Sequence, residues 1–201
     1  MSLLEPERSL VLLIDVQGKL VHLVHRSEVL LAATQRLLQI ASLFEVPVLV
    51  TEQYPAGLGR TDEALLASLS AHPGPTRVVE KDRFSCCGAA EFEAAFEELR
   101  GEVEPSQRQV VIGGIEAHIC VVQTVVELIE RGCGVFVCWE CVSGRGAEYR
   151  HWALERMQQA GAVMTNHESV AFEWAGSKNH PQFRPLNRLL RGGQIETDGG
   201  C

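Results

Sequence analysis

The 201-residue sequence predicts an α/β fold, a three-layer sandwich of helices around a six-stranded, mainly parallel sheet. Three observations predict it. Ser9–Val16 reads SLVLLIDV, apolar without strict alternation, as suits a strand covered on both faces. Further strand-like runs alternate with helical patterns across short links. Right-handed crossovers between parallel strands then put helices on both faces of the sheet.

A helix is expected over much of Leu20–Leu43. Pro47 stands at a strand entrance, where its missing N–H is tolerated, and Val46–Thr51 forms the second strand. The Gly57/Gly59 region reads as a loop. Thr61, followed by Asp62, Glu63 and the apolar Leu65, Leu66 and Leu69, supplies a helix start and an apolar stripe. Arg77–Lys81 is the third strand, and Ala89–Leu99 is an amphipathic helix ended near Gly101. Gln109–Gly114 is the fourth strand, with a helix from about Ala117 to Glu130 behind it. Gly132 and Gly134 turn the chain into a fifth strand, Val135–Trp139. Ala147–Gln159 is helical, with Leu154 and Met157 on one face. Gly161 breaks it before a short sixth strand at Ala162–Met164, and Glu168–Trp174 and Arg184–Leu190 are terminal helices. Residues 1–191 are read as one domain, and the polar, glycine-rich 192–201 as a flexible tail.

A hydrophobic content of 46% is enough for one substantial core. The formal net charge of −8 disfavours a nucleic-acid surface and attraction to anionic membranes. No run of about 18 uncharged apolar residues is present to span a bilayer. Met1–Arg8 resembles neither a secretion signal nor a transit segment, so a soluble cytoplasmic chain is expected, with the nucleus open to it. The seven cysteines are not spaced as a disulfide scaffold and are expected to be mostly free thiols.

In open parallel sheets, ligands bind outside the carboxyl ends of the strands. Asp15 closes the first strand and Lys81 the third, while Cys120 follows the fourth after Gly113–Gly114 and enters the next helix. Each has a plainer reading: a capping aspartate, a surface pair with Glu80 or Asp82, a buried helix cysteine. Together they are three chemical groups delivered by three strands to one rim. A helix N-terminus or a nearby cation lowers a thiol's pKa from about 8.5 and makes it nucleophilic. Lys81 is placed to stabilise a thiolate or a bound carbonyl, and Asp15 to take the thiol proton and pass it to an amine leaving group. A carboxylate is a weak base for a thiol, so this role requires an enclosed, lysine-coupled site that narrows the gap.

LLIDVQ at Leu12–Gln17, VEKDRFS at Val79–Ser85 and GGIEAHICVVQT at Gly113–Thr124 resemble the isochorismatase-like cysteine hydrolases. TEQYPAGLG at Thr51–Gly59 and the closing VSGRG…HWALERM…GAVMTNHESVAFEW extend the match over most of the chain. The resemblance implies a Rossmann-like, isochorismatase-like hydrolase fold that often forms homo-oligomers. It implies a catalytic triad at Asp15, Lys81 and Cys120, and a cis peptide at Ile115–Glu116. That turn is implied to aim the N–H groups of Ala117 and Cys120 at an oxyanion. Isochorismate hydrolases of this fold lack the cysteine, so Cys120 implies the amide-hydrolysing branch, acting on a small-molecule substrate. Nicotinamidases carry an Asp/His metal cluster after the second strand, whereas TEQYPAGLG offers Glu52 and no histidine. The reading therefore calls for no metal and no cofactor.

Gln17, Gln53, Tyr54 and Phe84 are expected to line the pocket. His118 stands as either a hydrogen-bonding residue that fixes its turn or a pocket-lining donor. Cys138 and Cys141 have redox spacing, but Cys138 falls inside the fifth strand rather than opening a helix, so burial is expected; Cys133 adds no complete zinc set. Cys86–Cys87 reads as either an oxidation-sensitive pair or, the plainer reading, a partly buried structural pair. Neither GxGxxG nor GxxxxGK[ST] is present. Segments containing Phe172, Trp174 and Phe183 are left to pack on the core or to form a subunit interface. The alternative function is a hydrolase fold of little turnover serving as a scaffold for a protein partner.

Overall fold

A computed structural model describes residues 2–192; the expected tail lies outside the described residues from position 193 onward. All six residues of β1 (Ser9–Ile14) are buried. Its apolar side chains divide with period two. Leu10, Leu12 and Ile14 join a cluster with Phe92, Val125 and Met157, while Val11 and Leu13 join another with Leu37, Leu65 and Trp174. A strand with a core on each side has no polar face to display, hence the unbroken apolar run.

The chain continues through α1 (Leu20–Leu23), α2 (Ser27–Leu43), β2 (Val48–Gln53), the short α3 (Pro55–Leu58), α4 (Glu63–Ser70), β3 (Thr76–Lys81) and α5 (Ala90–Arg100). Next come β4 (Gln109–Gly114), a π-helical turn (Ala117–Val121), α6 (Val122–Glu130) and β5 (Gly134–Val142). α7 (Ala147–Gln159), β6 (Val163–Thr165), α8 (His167–Ala175) and α9 (Phe183–Arg191) complete it. The strands form one all-parallel sheet in the order β3-β2-β1-β4-β5-β6. α2, α4, α8 and α9 supply the core of one face, and α5, α6 and α7 that of the other.

Four local departures from the sequence expectation have physical causes. The helix expected over Leu20–Leu43 is broken at Arg26, whose left-handed φ of 54° no continuous helix accommodates. The Gly57/Gly59 loop contains a helical turn opened by Pro55, a residue preorganised for the first helical position. The helix expected from Ala117 opens with a π turn instead. β5 runs on to Val142 because it bulges: Ile112 lies opposite Val137, but Gly114 lies opposite Val142. The bulge turns both Cys138 and Cys141 toward the core beneath α2, which strict alternation would forbid.

Candidate active site

Strand order reverses between β1 and β4, which opens the crevice where a parallel sheet binds ligands. Asp15 follows β1 with φ of 55°, a conformation that aspartate tolerates better than most residues. Its Oδ1 accepts from Thr51 Oγ1 (2.7 Å) and its Oδ2 from Lys81 Nζ (2.8 Å). Lys81, the last residue of β3, reaches across β2 to make that contact. Its ammonium also approaches Gln53 Oε1 (2.7 Å) and the carbonyls of Arg83 (3.0 Å) and Phe84 (3.1 Å). Three N–H protons are thus shared among four acceptors. Lys81 is saturated, and it acts on its surroundings through charge rather than by a free hydrogen bond to a carbonyl. Both side chains of the pair are buried.

Cys120 lies on the π turn after β4, and its buried thiol is close enough to the Asp15 carboxylate for the two groups to perturb each other's proton affinity. The turn was expected to lower its pKa, and the opposite holds. Burial pushes the thiol up, the Asp15 charge pushes the same way, and Lys81 offsets only part of this. Burial also raises Asp15, against the opposing pull of Lys81, Thr51 and Cys120. The resting site therefore holds a thiol beside a lysine-paired carboxylate, not a free thiolate.

The Ile115–Glu116 peptide is cis. Glu116 accepts from the Arg145 backbone N–H (3.2 Å), Nε (3.0 Å) and Nη2 (2.9 Å). Burial would raise this carboxyl, but the Arg145 hydrogen bonds and charge outweigh it and hold it below the usual range. The Ala117 N–H, implied as an oxyanion donor, instead donates to the Ser143 carbonyl at 2.7 Å, because the loop after β5 closes over the turn.

The expected pocket residues separate. Gln17 is fully buried, and its amide bonds the Gln53 N–H (2.7 Å) and the carbonyls of Gln53 (3.0 Å) and Gly59 (2.6 Å). It braces the loop after β2 and offers nothing to a ligand, contrary to expectation. Gln53 is likewise engaged, by Lys81 and the Asp82 carbonyl (2.8 Å). Tyr54 and Phe84 are exposed, at 58% and 59%, beside the segments that hold Lys81. His118 stacks on Tyr149 with centroids 4.6 Å apart, while its buried Nδ1 has no hydrogen-bond partner among the described residues. It lines a cavity of about 290 Å³ with Val122, Tyr149, Trp152 and Arg156, whose lining does not include Cys120.

Glu52 is buried and accepts from Thr61 N–H (2.7 Å) and Oγ1 (2.8 Å). Its Oε2 lies 3.3 Å from Arg60 Nη1, an ion pair without hydrogen-bond alignment. Among the described residues, no cluster of three or more His, Cys, Asp or Glu side chains is arranged to hold a metal ion. Cys86, Cys87, Cys120, Cys133, Cys138 and Cys141 are free thiols. Cys138 and Cys141 are wholly buried, and burial pushes the Cys138 thiol well up. Sequence reasoning missed Thr51 as a partner of Asp15. The visible signal is register: Thr51 lies at the carboxyl end of the neighbouring strand, paired with Ile14, the residue before Asp15.

The isochorismatase domain family model matches residues 9–169. Isochorismatase domain-containing protein 2 of Macaca fascicularis is 34% identical over 186 residues, covering 92% of this chain and 84% of that protein. Isochorismatase domain-containing protein 1 of Salmo salar is 35% identical over 168 residues, 84% of this chain but 56% of that protein, so the chain spans little more than half of that relative's length. A ribonuclease of Caenorhabditis elegans, MAR1, superposes with a TM-score of 0.85 at 30% identity, covering 100% of this chain and 99% of that one. The YcaC gene product of Escherichia coli, an octameric hydrolase of unknown specificity, superposes at 0.78 with 24% identity over 96% and 98% of the two chains. With four-fifths of the chain inside the family model, and relatives of that family more than 30% identical over most of it, this protein belongs to the isochorismatase domain family.

Proposed function

We propose that the protein is a metal-independent cysteine hydrolase that cleaves a small amide or related C–N bond through an acyl-cysteine intermediate. The observation that carries the reading is the buried Cys120 thiol beside a buried carboxylate that is itself ion-paired with Lys81 at 2.8 Å. The Cys120 sulfur attacks the carbonyl carbon as its proton passes to Asp15. The carbonyl π pair moves onto oxygen, and the resulting oxyanion is met by the Cys120 N–H; Ala117 is excluded from this role by its bond to Ser143. Lys81 keeps Asp15 oriented and supplies positive charge near the reacting atoms.

Collapse of the tetrahedral intermediate breaks the C–N bond, and the amine leaves with the proton from Asp15. Water, deprotonated by Asp15, then attacks the thioester. The acid departs and the thiol is restored. Burial supports the base role, because it raises Asp15 and so makes it a stronger proton acceptor than a surface carboxylate. Tyr54 and Phe84 at the rim offer aromatic faces to the substrate's apolar part. Action on RNA, as in the nematode ribonuclease, draws no support from a chain of net charge −8.

A screen of small amides for released amine tests the reading, comparing wild type with Cys120→Ser. Turnover by wild type alone, with an acyl mass on the Cys120 peptide, is the expected result. Turnover surviving in Cys120→Ser would sink the covalent mechanism, and wild type inert across the screen would turn the balance to a scaffold role. The reading includes a homo-oligomer, by analogy with the octameric bacterial protein.

A further inference from the structure

Behind the three proposed catalytic groups lies a second set of buried side chains that the mechanism does not use. Thr51 Oγ1 donates to Asp15 Oδ1 at 2.7 Å. Cys86 Sγ lies 3.8 Å from the same Thr51 oxygen. The Cys86 N–H donates to Thr124 Oγ1 (3.0 Å), whose own proton goes to the Cys120 carbonyl (2.8 Å). Thr51 and Thr124 are wholly buried, as is Cys86. A continuous line of contacts thus runs from the carboxylate, through Thr51, Cys86 and Thr124, to the backbone of the nucleophile.

From this geometry we infer that Thr51 and Cys86 are positioning residues that fix the direction of the hydroxyl proton toward Asp15, and so set the proton affinity of the Asp15–Cys120 pair. A threonine hydroxyl has one proton and can rotate. Cys86 decides which way it points. Burial pushes the Cys86 thiol up to about 12, so at neutral pH it is a donor. Its S–H occupies the acceptor side of Thr51 Oγ1, and the Thr51 proton is left for Asp15. A hydrogen bond to the charged form of a carboxylate favours that form. The bond therefore opposes the rise that burial imposes on Asp15, keeping enough of it ionised to accept the Cys120 proton.

The titratable groups facing Asp15 are Lys81 from β3, Cys120 from the π turn and Cys86 from the segment after β3; β2 presents only the Thr51 hydroxyl. Lys81 and Cys120 are unchanged by substitution at Thr51, so a shift there isolates the hydroxyl. The inference rests on Asp15 being the acceptor of the Cys120 proton, and the test separates the two.

Iodoacetamide is the probe: the Cys120 sulfur forms an S–C bond, the C–I bond breaks with its pair leaving as iodide, and the thiol proton is lost to the base. The rate of adduct formation on the Cys120 peptide is followed by mass spectrometry against pH. Thr51→Val, of nearly equal volume, is expected to move the acid limb up by about one pH unit. Thr51→Ser restores it. Cys86→Ala moves it the same way by less, and adds nothing in the Thr51→Val background, since both changes act through one proton.

An unmoved limb in Thr51→Val overturns the inference, as does a full additional shift from Cys86→Ala in that background. Asp15→Asn is the control on the reading beneath it, and it is expected to leave the single step of an isolated thiol. If Asp15→Asn leaves the profile unchanged, the proton-acceptor role of Asp15 fails by itself. If Asp15→Asn changes it and Thr51→Val does not, only the role of the brace fails.

Discussion

At the scale of single residues, the decisive contact is an ion pair removed from water. Lys81 and Asp15 meet at 2.8 Å with side-chain exposures of 0% and 3%. Removing one partner of such a pair leaves an unpaired buried charge, which costs about 3–5 kcal/mol, whereas neutralising both is far milder. Lys81→Met is therefore expected to lower the unfolding free energy obtained from urea melts by an amount in that range, and Asp15→Asn in the same chain to recover most of it. Equal losses in the single and double variants would mean that Lys81 acts through packing alone. Asp15, Lys81 and Cys120 are legible in the sequence as strand-end chemistry. The state of the thiol is not, because burial depends on α5, α6 and α7 closing over that face of the sheet, and no local motif encodes it. Gln17 misleads for a related reason: a polar residue two positions after a strand-end aspartate reads as a ligand contact until the loop it braces is in view.

At the scale of elements, the strand–turn–helix unit from β4 to α6 holds Cys120, the proposed nucleophile, and two features pin it. Gly114 has φ of 144°, and a Cβ there would lie 2.4 Å from the Ile14 carbonyl oxygen. Gly114→Ala combines an unfavourable backbone angle with a clash against backbone, so a loss of about 2 kcal/mol or more is expected, read from thermal or urea unfolding. The second pin is the grip of Arg145 on Glu116. A carboxyl held below its ordinary value stabilises the fold above the unfolded pKa of about 4.3, and that contribution is lost as pH falls through the lowered value. Arg145→Ala should thus bring the acid loosening of the turn to higher pH, visible as earlier hydrogen exchange at residues 115–121 with little change in the global midpoint. Exchange in that segment identical to wild type would show that the clamp does not hold the turn. The succession of strands and helices is readable from apolar periodicity, and β4 and α7 have their expected bounds. The π turn and the β5 bulge are not readable. Both depend on which residue of one strand meets which of its neighbour, a pairing outside the reach of local patterns.

At the scale of the whole molecule, apolar surface is left over after folding. Trp174 is accounted for: it packs on Phe44 with ring centroids 5.9 Å apart and donates from Nε1 to Ser9 Oγ at 3.0 Å. Phe172 is half-exposed beside Phe183, with centroids 6.5 Å apart, so the terminal segments fold largely onto their own core. A pair of aromatics more exposed than Phe172 lies at Tyr149 (54%) and Trp152 (64%) on α7, next to the turn that carries Cys120. Among the described residues, no helix is long and apolar enough to cross a membrane, and this patch is too local to act as a span. Large aromatics are among the residues that subunit interfaces cover first. The proposed homo-oligomer is accordingly expected to bury α7, and light scattering should return a multiple of 22.1 kDa that holds across dilution. Trp152→Glu places a charge where the interface would be dry, and should shift the mass toward the monomer without lowering the unfolding midpoint of the isolated chain. A mass of 22.1 kDa at every concentration would remove the oligomer from the reading. An oligomer indifferent to Trp152→Glu would move its interface to Phe172 and the terminal helices instead.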